Sequence, residues 1–231
     1  MEILPNMYRM DGLRGCNVYL RIADDGLTLI DTGVKKDAIP IAEQIEDLGF
    51  LITDLQRIFL THSHIDHTGA AAELSRKSGA VVLAYEKEVP YIERKKTMPP
   101  TMATLRILNW VEKNVFTATA CNVDQPLKND ELLNDLKVIH TPGHTPGCLS
   151  LYQPEQRILF CGDALFNMNP LTGKKGLRFP LKMVTVDYEQ AYESVLRLSD
   201  LPIEILCCGH GDPILEGADE KIKILLDSSK I

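Results

Sequence analysis

Apolar residues recur along the chain in two different periods. Short apolar or alternating runs bounded by turn residues predict strands over 16–22 (CNVYLRI) and 27–31 (LTLID), joined by the turn Asp24-Asp25-Gly26. Helical spacing takes over at 37–48, where Ile41, Ile45 and Leu48 share a face and Gly49 is placed to end the helix. The run 55–60 (LQRIFL) reads as a buried strand leading straight into a polar segment, 61–69. An Ala-rich helix follows, reaching Lys77, and then a strand over 80–84. Across 86–119 two helical stretches are broken at Pro99-Pro100, and Leu105, Leu108, Trp110, Val111 and Val115 are apolar enough to pack on something. Strands return at 136–140, 148–152 and 157–161. A long loop over 166–186, a helix over 187–199, a strand over 204–208 and a last helix over 217–228 complete the chain. Hairpin-like groups of strands in each half, with helices between, predict an α/β (α+β) protein of packed sheets covered by helices, not a simple alternating parallel sheet.

The length, 231 residues, fits one large domain spanning 1–231 better than two small ones, with 86–119 as a helical insert. A net charge of −7 sets the field against nucleic acid and anionic membranes. No apolar run is long enough to span a bilayer, and the first twelve residues, Met1 to Gly12, lack the apolar core of a signal peptide. The expectation is a cytoplasmic protein. Cys16, Cys121, Cys148, Cys161, Cys207 and Cys208 form no C-x-x-C pair, so a zinc-ribbon or thioredoxin-type site has no support. Most lie in apolar runs and read as small buried hydrophobes in a reducing compartment.

The histidines change the picture. His62, His64, Asp66 and His67 lie within six residues, directly after an apolar strand. Imidazole and carboxylate are the ligands zinc and similar first-row ions prefer. His62 and His64, two apart, can point the same way in an extended segment, whereas Asp66 and His67 are adjacent and point differently. One short loop can therefore offer part of the coordination of two ions. Three further groups also sit where a strand gives way to a loop, each with glycine beside it: His144 in TPGHTPG, Asp163 in CGD and His210 in CGHG. His140, four residues before His144, reads as structural or as support for a ligand.

The order H-x-H-x-D-H, then G-H-T-P-G, then G-D, then G-H resembles the metallo-β-lactamase superfamily, as does LIDTG at Leu29 to Gly33. The resemblance runs from Asn17 to Pro213. It implies a four-layer αβ/βα sandwich with the metals at one sheet edge. It also implies that His62, His64 and His144 hold a first metal, that Asp66, His67 and His210 hold a second, and that Asp163 bridges them. Asp31 would hydrogen-bond a ligand histidine and fix its tautomer. The expected cofactors are two divalent ions, zinc first, with iron or manganese accepted by the same donors. Two such ions can share a hydroxide of lowered pKa, and Asp66 is also placed to pass a proton to a leaving group. The expected enzyme is thus a binuclear metal-dependent hydrolase acting on an ester-like bond, a thioester or lactone, in a small molecule.

The stretch FCGDALF is similar to the matching segment of glyoxalase-II-like thioesterases. The chain ends soon after His210, so their C-terminal helical domain is expected to be missing. Acyl-homoserine lactonases of the superfamily place a tyrosine three residues after the bridging aspartate, where this chain has Phe166. Lys174, Lys175, Arg178 and Lys182 would suit an anionic substrate. The expected partners are that small molecule and, through the insert, a second copy in a homodimer; neither nucleic acid nor membrane is expected. Two alternatives use the same ligands: a mononuclear iron oxidoreductase of the persulfide dioxygenase type and a two-metal phosphodiesterase. The superfamily's di-iron oxygen reductases replace the second histidine by glutamate, and this chain keeps His64.

Overall fold

The computed structural model describes residues 1–101 and 120–229. They fall into two compact units, 1–98 with 120–126 and 99–101 with 127–229.

The first unit is built on a seven-stranded sheet whose spatial order follows the chain: β1 (Glu2–Leu4), β2 (Met7–Arg9), β3 (Tyr19–Ala23), β4 (Gly26–Ile30), β5 (Leu55–Leu60), β6 (Val81–Tyr85) and β7 (Gln125–Leu127). β1 to β4 form an antiparallel meander, and β4, β5 and β6 run parallel. Parallel neighbours need crossovers, and helices supply them: α1 (Ala38–Asp47) after β4, then α2 (Ile65–Thr68) and α3 (Ala71–Ser78) after β5. Pro40 lies in the first turn of α1, where its missing N–H costs no hydrogen bond. Ala38, Ile41 and Ile45 of α1 and Ala71 and Leu74 of α3 pack with Leu27, Leu29, Ile58, Leu60 and Val82 into one core. Ile30, Phe59 and Leu83, on the opposite face of the same strands, are buried as well. Strands hidden on both faces show nearly continuous apolar sequence, which is why LTLI and RIFL are so readable. One further turn of helix, α4 (Val89–Ile92), follows β6. The rest of the helical stretch expected across 86–119 lies largely at 102–119, outside the described residues.

The second unit holds a five-stranded sheet in the order β14 (Ile205–Cys208), β11 (Ile158–Gly162), β10 (Leu149–Gln153), β9 (Leu136–His140) and β8 (Leu132–Leu133). β11 and β14 are parallel and the other pairs antiparallel. Helices α5 (Tyr188–Leu198) and α6 (Ala218–Ser228) bury Val195, Leu198, Ile222 and Leu226 against Leu159, Cys161, Leu206 and Cys208. Asp187 caps α5 by accepting the amide of Gln190 at 3.0 Å.

The expected loop over 166–186 is corrected by the structure: it contains a hairpin, β12 (Phe166–Met168) paired antiparallel with β13 (Lys175–Arg178). The connection closes through Asn169, whose Oδ1 accepts the amides of Leu171 at 2.9 Å and Thr172 at 3.2 Å. An Asx turn before proline organises strands too short and too polar to announce themselves by period.

Both main sheets expose one chemically useful edge. In the first, the C-terminal ends of parallel β4 and β5 release Asp31 and Thr61 side by side, and the Asp31 amide reaches the Phe59 carbonyl at 2.8 Å. In the second, β9, β11 and β14 all run the same way, so the segments carrying His144, Asp163 and His210 leave from one edge. Loops outside the carboxyl ends of parallel strands are where α/β folds usually place ligands.

Candidate metal centre

In the first unit the segment after β5 crowds three imidazoles together. The His62 and His64 rings lie 4.7 Å apart between centroids, and those of His62 and His67 lie 4.1 Å apart. His62 and His67 are fully buried, whereas His64 is partly exposed. His64 closes the extended part of the segment, and α2 begins at Ile65, so Asp66 and His67 stand on a helical turn. That change of backbone aims the second pair of groups differently from the first. Asp66 Oδ2 stands 3.9 Å from His67 Nε2.

This segment is clamped from below. Cys16 N donates to the Asp66 carbonyl at 3.0 Å, and both the amide and the hydroxyl of Thr32 donate to the His67 carbonyl at 2.8 Å. Gly69 N donates to the Gly33 carbonyl at 2.9 Å. A Cβ on Gly69 would stand 2.5 Å from Lys35 N, so only glycine admits this approach. The clamping loops are in turn held by Asp37, fully buried, which accepts the amides of Arg14, Gly15 and Val34 at 2.9–3.3 Å. Glu88, with 0% exposure, accepts the Ser63 amide at 2.8 Å from within the histidine segment.

Asp31 lies beneath the same histidines. Its Oδ2 is 2.8 Å from His67 Nδ1 and 2.8 Å from the Thr61 hydroxyl, and its Oδ1 accepts the Thr61 amide at 2.8 Å. It adopts φ +61, a left-handed conformation that an L residue holds only where its surroundings over-determine it. The Thr61 hydroxyl is also 3.1 Å from His62 Nδ1. Cys16 comes near Asp31 and His67 too, with ligand atoms within 4.8 Å of one another. Burial, chiefly, lifts its thiol to about 12.

In the second unit two histidines converge on one carboxylate oxygen. His144 Nε2 is 3.3 Å and His210 Nε2 is 3.5 Å from Asp163 Oδ2. His144 follows Gly143, which adopts φ +135 and lies so close to α5 that an added Cβ would fall on the backbone of Ala191. The carbonyls of Gly143 and His144 accept the amides of Asp187 at 2.9 Å and Val186 at 3.2 Å. His144 Nδ1 is 3.4 Å from the Thr185 hydroxyl, which donates to the Leu181 carbonyl at 2.9 Å. The His210 carbonyl accepts the Asn167 amide at 2.8 Å. The buried Phe166 ring meets both histidines edge-on, at 6.1 Å from His144 and 5.0 Å from His210. His140 turns elsewhere: its Nε2 is 3.0 Å from the Pro146 carbonyl, bracing the turn that carries His144.

These donor sets suit divalent metal. Two donors bound to one tetrahedral ion at about 2.0–2.2 Å lie ~3.4 Å from each other. The separations of 3.3 and 3.5 Å around Asp163 match that figure and are long for direct hydrogen bonds. His62, His67 and His144 all engage a side-chain oxygen through Nδ1, which leaves Nε2 as the ligand atom. Sequence reasoning found neither Thr61, Thr185, Asp37 nor Glu88. Thr61 at least adjoins the histidine motif, whereas Thr185 lies 41 positions from the histidine it supports.

A mixed α/β fold that presents histidine and carboxylate side chains from strand ends is suited to holding metal. The chain belongs to the metallo-beta-lactamase superfamily, whose family model matches residues 11–210. It is 32% identical over 200 residues to the probable metallo-hydrolase YflN of Bacillus subtilis (strain 168), covering 80% of this chain and 75% of that protein. It is 28% identical over 204 residues to the hydroxyacylglutathione hydrolase GloC of Haemophilus influenzae, covering 87% of each. Among solved structures, a metallo-beta-lactamase family protein from Thermus thermophilus superposes with a TM-score of 0.74 at 23% identity, over 98% of this chain and 80% of that one. The fold expected from the motifs is therefore the fold observed, and the chain is a metallo-hydrolase by family.

Proposed function

We propose that the two ligand sets form one binuclear centre, with His62, His64 and His144 at a first ion, Asp66, His67 and His210 at a second, and Asp163 shared between them. The observation that carries this reading is the convergence of His144 and His210 on a single oxygen of Asp163 from two different strand ends. A carboxylate approached by two Nε2 atoms at such distances is suited to bridging. When bound, a pair of divalent ions supplies a Lewis acid for a carbonyl and a water of lowered pKa. Zinc suits the nitrogen and oxygen donors.

The chain's own residues supply the rest. Asp31, Thr61 and Thr185 hold the rings in their ligand tautomers. Asp66, with its side chain 35% exposed, is the carboxylate best placed to hand a proton to a departing group. Phe166 gives the site an apolar wall with no phenol to donate. Among ester-like bonds we therefore place a thioester of a small molecule ahead of a lactone, as the name of the Haemophilus relative also suggests. Lys175 and Arg178 are engaged within their own surroundings, Lys175 with Asp212 at 2.8 Å and Arg178 with the Gly176 carbonyl at 3.1 Å. Any attraction for an anionic substrate thus falls more to the exposed Lys174.

Elemental analysis of protein purified without added metal tests the reading. Two zinc ions per chain, with thioester hydrolysis abolished by chelation and restored by zinc, is the expected result. One iron per chain and oxygen uptake with a persulfide would replace it by the oxidoreductase alternative.

A further inference from the structure

The hydrogen bonds around Asp31 extend past His67. Thr61 Oγ1 and Asp31 Oδ2 are 2.8 Å apart, a distance that requires a proton between them. An ionised carboxylate can only accept, so the proton is the threonine's own. The hydroxyl has just one, so it meets His62 Nδ1, at 3.1 Å, as an acceptor. His62 must then carry its ring proton on Nδ1. His67 does the same toward Asp31 Oδ2 at 2.8 Å. The other carboxylate oxygen is fixed by the Thr61 amide at 2.8 Å. Asp31 is 2% and Thr61 0% exposed, so bulk water does not compete for these bonds.

We propose that the Thr61 hydroxyl is a positioning group that relays the Asp31 carboxylate to His62, so that one buried carboxylate orients a histidine assigned to each ion. The assignment of the rings to two ions rests on the binuclear reading above; the relay itself rests on the distances. The connection arises from topology. β4 and β5 are parallel neighbours, so the residue after one strand stands beside the residue after the other. The two rings are not equal in this arrangement. His67 faces the carboxylate directly, whereas His62 reaches it through a neutral hydroxyl.

Two measurements on the full-length chain test the relay. In chelator-stripped protein with ¹⁵N-labelled histidine, NMR shifts should show His62 and His67 both protonated on Nδ1. Thr61→Ser should keep that pattern, and Thr61→Val, equal in shape but without the hydroxyl, should disturb His62 alone. In cobalt(II) titrations against a chromophoric chelator, Thr61→Val should weaken one site by about 10–100-fold, the range typical for partners of metal-bound histidines. Thr61→Ser should restore wild-type affinity. A wild-type His62 protonated on Nε2, or a folded Thr61→Val that binds both ions as tightly as wild type, overturns the relay. If Thr61→Val does not fold, the wild-type and Thr61→Ser tautomers decide. A wild-type chain that takes up no metal refutes the binuclear reading instead, and the tautomer of His62 still judges the relay.

Discussion

Asp163 presents the same carboxylate oxygen to two imidazoles while being only 2% exposed. A buried carboxylate is tolerated only where its charge is compensated. With metal bound, its charge is matched. Asp163→Ala is therefore expected to abolish hydrolysis and to weaken metal binding by ~100-fold or more, beyond the effect of losing a partner of a ligand. The apo fold should be little changed, because the side chain makes no contribution to the apolar core. Metal content after dialysis, circular dichroism and thioester turnover check the three parts, and full activity in this variant would exclude a bridging role. Asp31 differs in kind. It holds φ +61 at a cost of about 1–3 kcal/mol, which the three hydrogen bonds to its carboxylate offset.

At the level of elements, the loops at the sheet edges are braced by helices, and Gly143 shows how tightly. Its φ of +135 and its approach to the Ala191 backbone leave no room for a side chain. Gly143→Ala is expected to cost about 1–3 kcal/mol from backbone strain alone, before any shift of α5. It should also move His144, so metal affinity should fall together with stability. Denaturant unfolding and chelator competition on the same variant measure both. A variant as stable as wild type would show that the loop relaxes freely. The same elements show what could be read in advance. LTLI and RIFL are legible because strands buried on both faces carry unbroken apolar runs. The H-x-H-x-D-H cluster is legible because its groups are close in sequence. The hairpin at Phe166–Met168 and Lys175–Arg178 is not, since its pairing depends on an Asn169 turn and not on a period. Thr185 is hidden for a different reason: it lies 41 positions from His144, and nothing local marks it. Of the helical insert expected over 86–119, residues 102–119 fall outside the described residues.

Across the whole molecule, all six cysteines are buried and none is in a disulfide, and among the described residues no helix is long and apolar enough to cross a membrane. A thiol reagent should therefore find almost nothing to modify in the native protein and six groups in denaturant; rapid native labelling would contradict this burial. The same burial sets an alkaline limit on stability. Desolvation, helped by the charges of Asp124 and Glu93, raises the Cys121 thiol from 9.0 to about 11. Cys16 rises to about 12, again chiefly by burial. Buried tyrosines move the same way, Tyr85 and Tyr152 both being raised by desolvation. In each case the unfolded chain gives up its proton at lower pH than the folded one. Between the two values the unfolded state binds fewer protons, so stability falls as pH rises. For Cys121 the contribution is intact below 9.0, declines from there to about 11 and changes no further above it. Urea unfolding of chelator-treated protein at a series of pH values should show this decline. Cys121→Ala, which removes the titrating group, should lessen the slope between pH 9.0 and about 11 even if it lowers stability at every pH. An unchanged slope would mean that the thiol ionises as readily in the folded chain as in the unfolded one.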